Sequence, residues 1–360
     1  MMTSLPVRSP IVCAGLLLFT SWFPMSASAD SPEPTHLIRK ILFGSCIKHE
    51  SPMPILDTML GEVPDLILFL GDNVYADTED MSEMRACYDR LAENQAFANL
   101  RARYPIMATW DDHDYGVNDG GADFSQREAS KQEFLRFWRV PQTSPLRSRD
   151  GIYDSAIIGP EGQRVQLILL DTRFFRSPLA RGEKRRIGGP YIPDDDPSKT
   201  LLGDAQWTWL EEQLRKPAEL RVICSSIQCL PEAQGQETWS NLPRERARLF
   251  KLIENTDADG VVLLSGDRHW AELSRLEQDV PYPLYEMTSS SLNQIHARGT
   301  PTENRHRADD RTYHRENYGV LRIDWSDDPT VTLEIKNREG GVQIETAFPL
   351  SRIQHSSPNP

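Results

Sequence analysis

The chain has 360 residues, 39% of them apolar, which is enough to bury a sizeable core and excludes an intrinsically disordered chain. Its formal net charge is −13. That balance excludes non-specific nucleic-acid binding, which depends on neutralising phosphates with Lys and Arg, and no nucleic-acid-binding module is expected. Any affinity for an anionic ligand must therefore arise in a local site, one holding cations.

The N-terminus reads as a secretory signal peptide over residues 1–29. Arg8 supplies the positive region, residues 11–19 the short apolar stretch, and Ala27-Ser28-Ala29 the small-residue cleavage site before Asp30. The bland alternative is an uncleaved anchor. The expectation is export to a periplasmic or extracellular compartment, with Cys13 discarded and no membrane-spanning segment in the mature chain. Four cysteines then remain: Cys46, Cys87, Cys224 and Cys229. An oxidising compartment permits Cys224 and Cys229 to pair, but four cysteines in a chain this long make no disulfide framework.

After a polar, Pro-rich leader, one pattern recurs. Short runs of β-formers stop abruptly at polar or acidic residues: KILFGSC (40–46), DLILFLGDNVY (65–75), PIMATWDDHDYG (105–116), VQLILLDTR (165–173), VICSSIQ (222–228) and VVLLSGDRH (261–269). Near-continuous Ile, Leu and Val runs describe strands buried on both faces. The intervening segments have helical spacing: one helix over 81–104 capped by Asp80, then 126–138, 204–214 and 245–255. Strands alternating with helices predict an α/β core. Residues 317–349 predict two or three antiparallel strands at a sheet edge or in a second packed sheet, with turns at 327–329 and 340–341. The tail after Ser351 is expected to fray.

Ligands of such sheets bind beyond the carboxyl ends of the strands, so the polar clusters should converge. They are Cys46; Asp72 with Tyr75; Asp111, Asp112, His113 and Asp114; and Asp267 with His269. A lone Asp at a strand end is more often a cap or turn former, and a lone His more often a satisfied core residue. Recurrence changes the weighing. Packed carboxylates cannot all ionise without cations. Hard oxygen donors suit Ca²⁺, Mg²⁺ or Mn²⁺, while thiolate, phenolate and imidazole suit a transition metal.

These motifs resemble those of the alkaline phosphatase D (PhoD-like) family, within the calcineurin-like metallophosphoesterases. GDNVYAD (71–77), TWDDHDYGVND (109–119), LDTRFFR (170–176), LSGDRHWAEL (264–273) and EMTSSSL (286–292) carry the resemblance, and FGSC (43–46) and LGDAQWTWLEEQL (202–214) extend it. It covers residues 38–325, in the family's order. It implies a four-layer αββα sandwich with mixed sheets, spanning one domain over residues 30–350. It also implies a two-metal centre. Asp72 would be the shared ligand, Cys46, Tyr75 and His269 would favour Fe³⁺, and Asp112 and Asp267 would favour Ca²⁺. Ligand chemistry alone also tolerates Mn²⁺ or Zn²⁺.

The implied reaction is in-line displacement at a phosphate ester by hydroxide generated at the metals. His113 is expected to protonate the leaving oxygen or to stabilise charge on the phosphoryl group, with Asp114 orienting its ring. Arg173 and Arg268 are expected to contact phosphate oxygens, the alternative for Arg173 being a fixed ion pair. Asn118 is a further substrate-side candidate, with turn formation as its bland reading. Residues 294–316, rich in Arg and His, either border the mouth or form a solvated loop. Lys184-Arg185-Arg186 is more often simply exposed. The leading reading is an alkaline phosphatase or phosphodiesterase. The alternatives are a phospholipase-type enzyme acting on lipid or cell-wall phosphodiesters and a non-catalytic exported metal-binding protein on the same fold. A thiol redox role for Cys224 and Cys229 has little support, because their spacing is not that of a dithiol motif.

Overall fold

In the computed structural model, residues 36–355 are described, apart from 187, 233–234 and 297–302, and the side chains of 185 and 186 are left aside. The signal-peptide reading therefore lies outside the described residues. In chain order the strands are β1 (Lys40–Gly44), β2 (Leu66–Leu70), β3 (Ile106–Thr109), β4 (Asp154–Ile158), β5 (Val165–Leu169), β6 (Arg181–Arg186), β7 (Gly189–Tyr191), β8 (Leu220–Cys224), β9 (Val261–Ser265), β10 (Ala271–Leu276), β11 (Leu284–Ser289), β12 (Asn317–Asp324), β13 (Thr330–Asn337) and β14 (Val342–Pro349). The helices are α1 (Pro54–Gly61), α2 (Met81–Glu93), α3 (Gln95–Arg103), α4 (Asp112–Tyr115), α5 (Arg127–Phe137), α6 (Gly203–Leu214) and α7 (Pro243–Asn255).

Two six-stranded mixed sheets form the centre. One runs β14-β13-β12-β1-β2-β3, the other β10-β11-β9-β8-β5-β4. β1, β2 and β3 are parallel, as are β11, β9, β8 and β5, so each sheet presents a block of strands pointing the same way. The segment after residue 317 extends the first sheet by three antiparallel strands.

Strand alternation separates two cores. Ile41, Phe43, Leu66, Leu68 and Leu70 face the second sheet, in the cluster that also takes Trp207, Leu210, Leu249 and Ile253 from α6 and α7. Leu42, Ile67 and Phe69 face the other way, onto α1, α2, α3 and α5. The result is the four-layer αββα arrangement. Among the described residues, no helix is long and apolar enough to cross a membrane.

Two local expectations are corrected, and one pairing left open is decided. The helix expected over 81–104 breaks at Asn94, whose extended backbone and side chain cap α3 by accepting from the Ala96 and Phe97 amides. Cys224 and Cys229 are buried, separate thiols. The tail to His355 is tied down: Ile353 is buried and accepts from the Gly260 amide, and His355 bonds Asp259.

One buried carboxylate makes stability pH-dependent. Burial raises Glu286 to about 7, although Ser265 and the Leu230 and Cys229 amides stabilise its charge. An unfolded Glu ionises near 4.5. Across pH 4.5 to 7 the unfolded chain therefore loses a proton that the native chain keeps. This contribution is fully present below pH 4.5 and lost as pH rises through 7, on the order of 3 kcal/mol. Asp111 and Asp154 are also raised to about 7, so Glu286→Gln should reduce the fall of the denaturant midpoint across that window, and an unchanged slope would refute the assignment.

Candidate metal centre

The strand ends of both sheets meet. β1 delivers Cys46, β2 delivers Asp72 and β3 delivers Asp111 and Asp112, while β9 of the opposite sheet delivers Asp267 and His269. The chain leaves each strand sharply. Of the ten non-glycine residues with positive φ among the described residues, six belong to this region: Cys46, Asp72, Asp77, Asp119, Asp267 and His269. Such backbone costs about 1–3 kcal/mol per residue and persists where surrounding structure over-determines it. Gly71 is required here. Its φ is +104, and a Cβ would lie 2.6 Å from the Asp111 Cβ.

One side of the site is Cys46, Asp72, Tyr75 and His269. The Cys46 sulfur lies 3.4 Å from Asp72 Oδ2, the Tyr75 hydroxyl 3.3 Å from the same oxygen and 2.9 Å from His269 Nε2. The other side is carboxylate: Asp72, Asp111, Asp112 and Asp267 present oxygens within 4.8 Å of one another. Asp72 belongs to both sides and also to a third group with Asp112 and His113.

The electrostatics are those of a place made for cations. Burial, with the Cys46, Asp112, Asp111 and Asp114 charges, raises Asp72 well above the carboxylate range. Burial raises the Cys46 thiol and the Tyr75 phenol. Burial and the Arg268 and His113 charges lower His269 to about 4, leaving the neutral ring a metal requires. One Asp111 oxygen is buried with no hydrogen-bond partner. A thiol, a phenol, a neutral imidazole and crowded carboxylates fit a transition-metal ion beside a hard divalent cation.

The substrate-side candidates divide. His113 packs against Tyr75 in a tilted pair, centroids 4.2 Å apart, and its Nδ1 lies 2.7 Å from Asp77. Burial lowers its pKa, but Asp112 and Asp77 outweigh that and raise it to about 9. Asp77, not Asp114, orients the ring. Asp114 instead accepts from the Asp72 and Asn73 amides, the Asn73 side chain and Tyr88, so it braces the Asp72 turn.

Arg173 is fully buried. Its Nη2 lies 2.5 Å from Asp111 and 2.6 Å from Glu237, and its Nε donates to Asp111. This is the fixed ion pair, and it corrects the expected phosphate contact. Arg268 contacts the Asp267 carboxylate within the site, with its Nε buried and unpartnered. Asn118 is exposed in the turn after α4, where the Gly120 amide donates to Val117. His296 and His314 pack against Trp270, next to His269, while His306 pairs with Glu232. Lys184 is exposed on the β6–β7 hairpin, whose Tyr191 hydroxyl donates to Asp119.

Sequence reasoning missed three participants. Asp77 stood inside GDNVYAD without an assigned role. Ser290, 3.1 Å from the Cys46 sulfur, stood inside EMTSSSL without an assigned role. Glu237 is on a loop that no strand-end pattern marks; it groups with Asp112 and Asp119 and pairs with Arg173 and Arg176.

Known proteins resemble this chain in sequence and fold. The family model described as PhoD-like phosphatase matches residues 41–344. Alkaline phosphatase D from Bacillus subtilis is 26% identical over 313 aligned positions, covering 75% of this chain and 52% of the relative, so the chain spans about half the length of that relative. A solved structure of PhoD superposes with a TM-score of 0.70 at 18% identity, covering 92% of this chain and 73% of that one. A dimetal phosphatase from Danio rerio superposes with a TM-score of 0.55 at 11% identity, covering 89% of this chain and all of its own. The two structures speak for the fold, and the family model, spanning both sheets and every strand end described above, makes this chain a member of the PhoD-like phosphatase family.

Proposed function

We propose that this chain is an exported, metal-dependent hydrolase of phosphate esters. The observation that carries the reading is the meeting of Cys46, Asp72, Tyr75 and His269 with Asp112 and Asp267 around one shared carboxylate. Cys46, Tyr75 and His269 would hold Fe³⁺, Asp112 and Asp267 would hold Ca²⁺, and Asp72 would serve both; Mn²⁺ or Zn²⁺ would satisfy the same donors. When bound, such cations make water acidic enough to attack at neutral pH and offset the charge of the phosphoryl group.

The chain's own residues do the rest. Asp77 fixes the His113 ring through Nδ1, which leaves Nε2 to carry a proton to the leaving oxygen. Arg268, beside Asp267, is placed to meet phosphate oxygens through a planar donor fork. The exposed Asn118 turn is a rim contact for substrate.

Hydrolysis of nitrophenyl phosphate and bis-nitrophenyl phosphate, with and without chelator, tests the reading. Chelator-sensitive turnover of either ester supports it, and none from metal-loaded protein would favour a binding protein on the same fold. Within the active enzyme, His113→Asn should lower kcat by about 10²–10⁴ with KM little changed, the range general acid catalysis supplies. Asp77→Asn should fall in the same direction by about 10–100-fold, as partners that orient such groups do. A loss of His113→Asn activity expressed through KM alone would contradict the proton-transfer role.

A further inference from the structure

We infer that Ser290 is a positioning residue of the metal centre, its hydroxyl donating a hydrogen bond to the Cys46 sulfur and thereby setting how strongly that sulfur binds a cation. The inference rests on the reading above that Cys46 is a ligand.

The direction of the bond follows from proton counting. Ser290 is fully buried, one residue beyond β11. Its Oγ accepts the His269 amide at 2.8 Å and lies 3.1 Å from the Cys46 sulfur. An amide N–H only donates and a ligating thiolate carries no proton, so the single hydroxyl proton is left for the sulfur. Ser45 also approaches that sulfur, at 3.4 Å, but it has a competing acceptor in the Ser289 carbonyl at 3.3 Å.

The same hydroxyl spans the two sheets. Cys46 follows β1 of the first, and His269 follows β9 of the second, both at positive φ. The following residues run beside the Cys46 loop: the Leu292 amide donates to Ser45, and those of Asn293 and Gln294 to Cys46. Ser290 is thus an anchor common to two ligands that the fold brings from opposite sides. A hydrogen bond to a ligating sulfur withdraws electron density from it, weakening its donation and shifting the electronic levels of the site. Satisfying the His269 amide is the merely structural role, and it would leave those levels unmoved.

Cobalt(II) loaded into the full-length protein supplies the readout, through the thiolate-to-cobalt charge-transfer band in the near ultraviolet. Ser290→Ala should move that band to lower energy, because the sulfur lone pairs lose their stabilising donor. Ser290→Thr should restore the wild-type position. Ser290→Cys, similar in shape but a much weaker donor, should shift in the same direction as Ser290→Ala and serves if the alanine variant folds poorly. A band at the wild-type position in both Ser290→Ala and Ser290→Cys overturns the inference. A wild-type protein without any such band, or one whose band survives Cys46→Ser, overturns the ligand reading instead.

Discussion

Asp72→Asn is expected to abolish ester hydrolysis, by more than about 10³-fold, while making the metal-free protein more stable. The loss should exceed the roughly 10–100-fold typical of residues that only support ligands, because Asp72 is the carboxylate shared by three potential ligand groups. The gain has a separate cause. Without cations, Asp72 is a buried carboxylate pressed against Cys46, Asp112, Asp111 and Asp114, and burial and those charges oppose its ionisation. The amide has the same shape and no charge. Its oxygen would keep accepting from Tyr75 and Cys46, and its NH₂ would turn to Asp112. An unfolded Asp ionises near 3.8 while the native one is held protonated, so at neutral pH folding costs the wild type a proton uptake that the amide avoids, and the unfolding free energy in chelator should rise by more than about 1 kcal/mol. Adding metal should reverse the order, since only the wild type gains stability from ion binding. Denaturation with and without chelator, beside metal analysis, reads all three. Full metal stoichiometry with normal turnover would sink the assignment, and a metal-free variant less stable than wild type would sink the electrostatic account.

That trade between stability and function also explains what was legible in the sequence. A strand buried on both faces must be apolar throughout, so the point where Leu66–Leu70 gives way to Gly71-Asp72 marks both a strand end and a change of environment. The same holds after β1, β3 and β9, which is why Cys46, Asp112, Asp267 and His269 could be grouped before any geometry was known. What failed were inferences from sequence neighbourhood. Asp114 follows His113 directly, but successive residues on a helix point about 100° apart, and the carboxylate that reaches the imidazole comes from Asp77. Glu237 has no local signature, because its partners Arg173 and Arg176 are about sixty positions away. Asn94 breaks a helical pattern that continues on both sides, and only its own side chain, turned back to the Ala96 and Phe97 amides, reveals the boundary.

Arg173→Met should be the most destabilising substitution near the site, costing about 3–5 kcal/mol. The guanidinium is a fully buried cation among a crowd of acids. It holds Asp111 through Nε and Nη2 and Glu237 through Nη2, with no exposure to solvent. Nη2 meets both carboxylates at short range without well-aligned hydrogen bonds, so charge binds Glu237, while the Nε hydrogen bond also fixes Asp111. Methionine fills similar volume but strands both carboxylates. A second substitution, Glu237→Gln, should then recover part of the loss, because one of the stranded charges is gone. Arg173→Lys should fall between, since one ammonium cannot reproduce a fork reaching two acids. A phosphate ligand would behave otherwise: KM for the ester would rise while the denaturant midpoint stayed in place. Geometry favours the first pattern, because Asp111 is also held by Ser226 at 2.6 Å and lies among the oxygens of Asp72, Asp112 and Asp267. Arg173 would therefore act on the candidate metal centre through Asp111, opposing the burial that raises this carboxyl to about 7 and holding it in place.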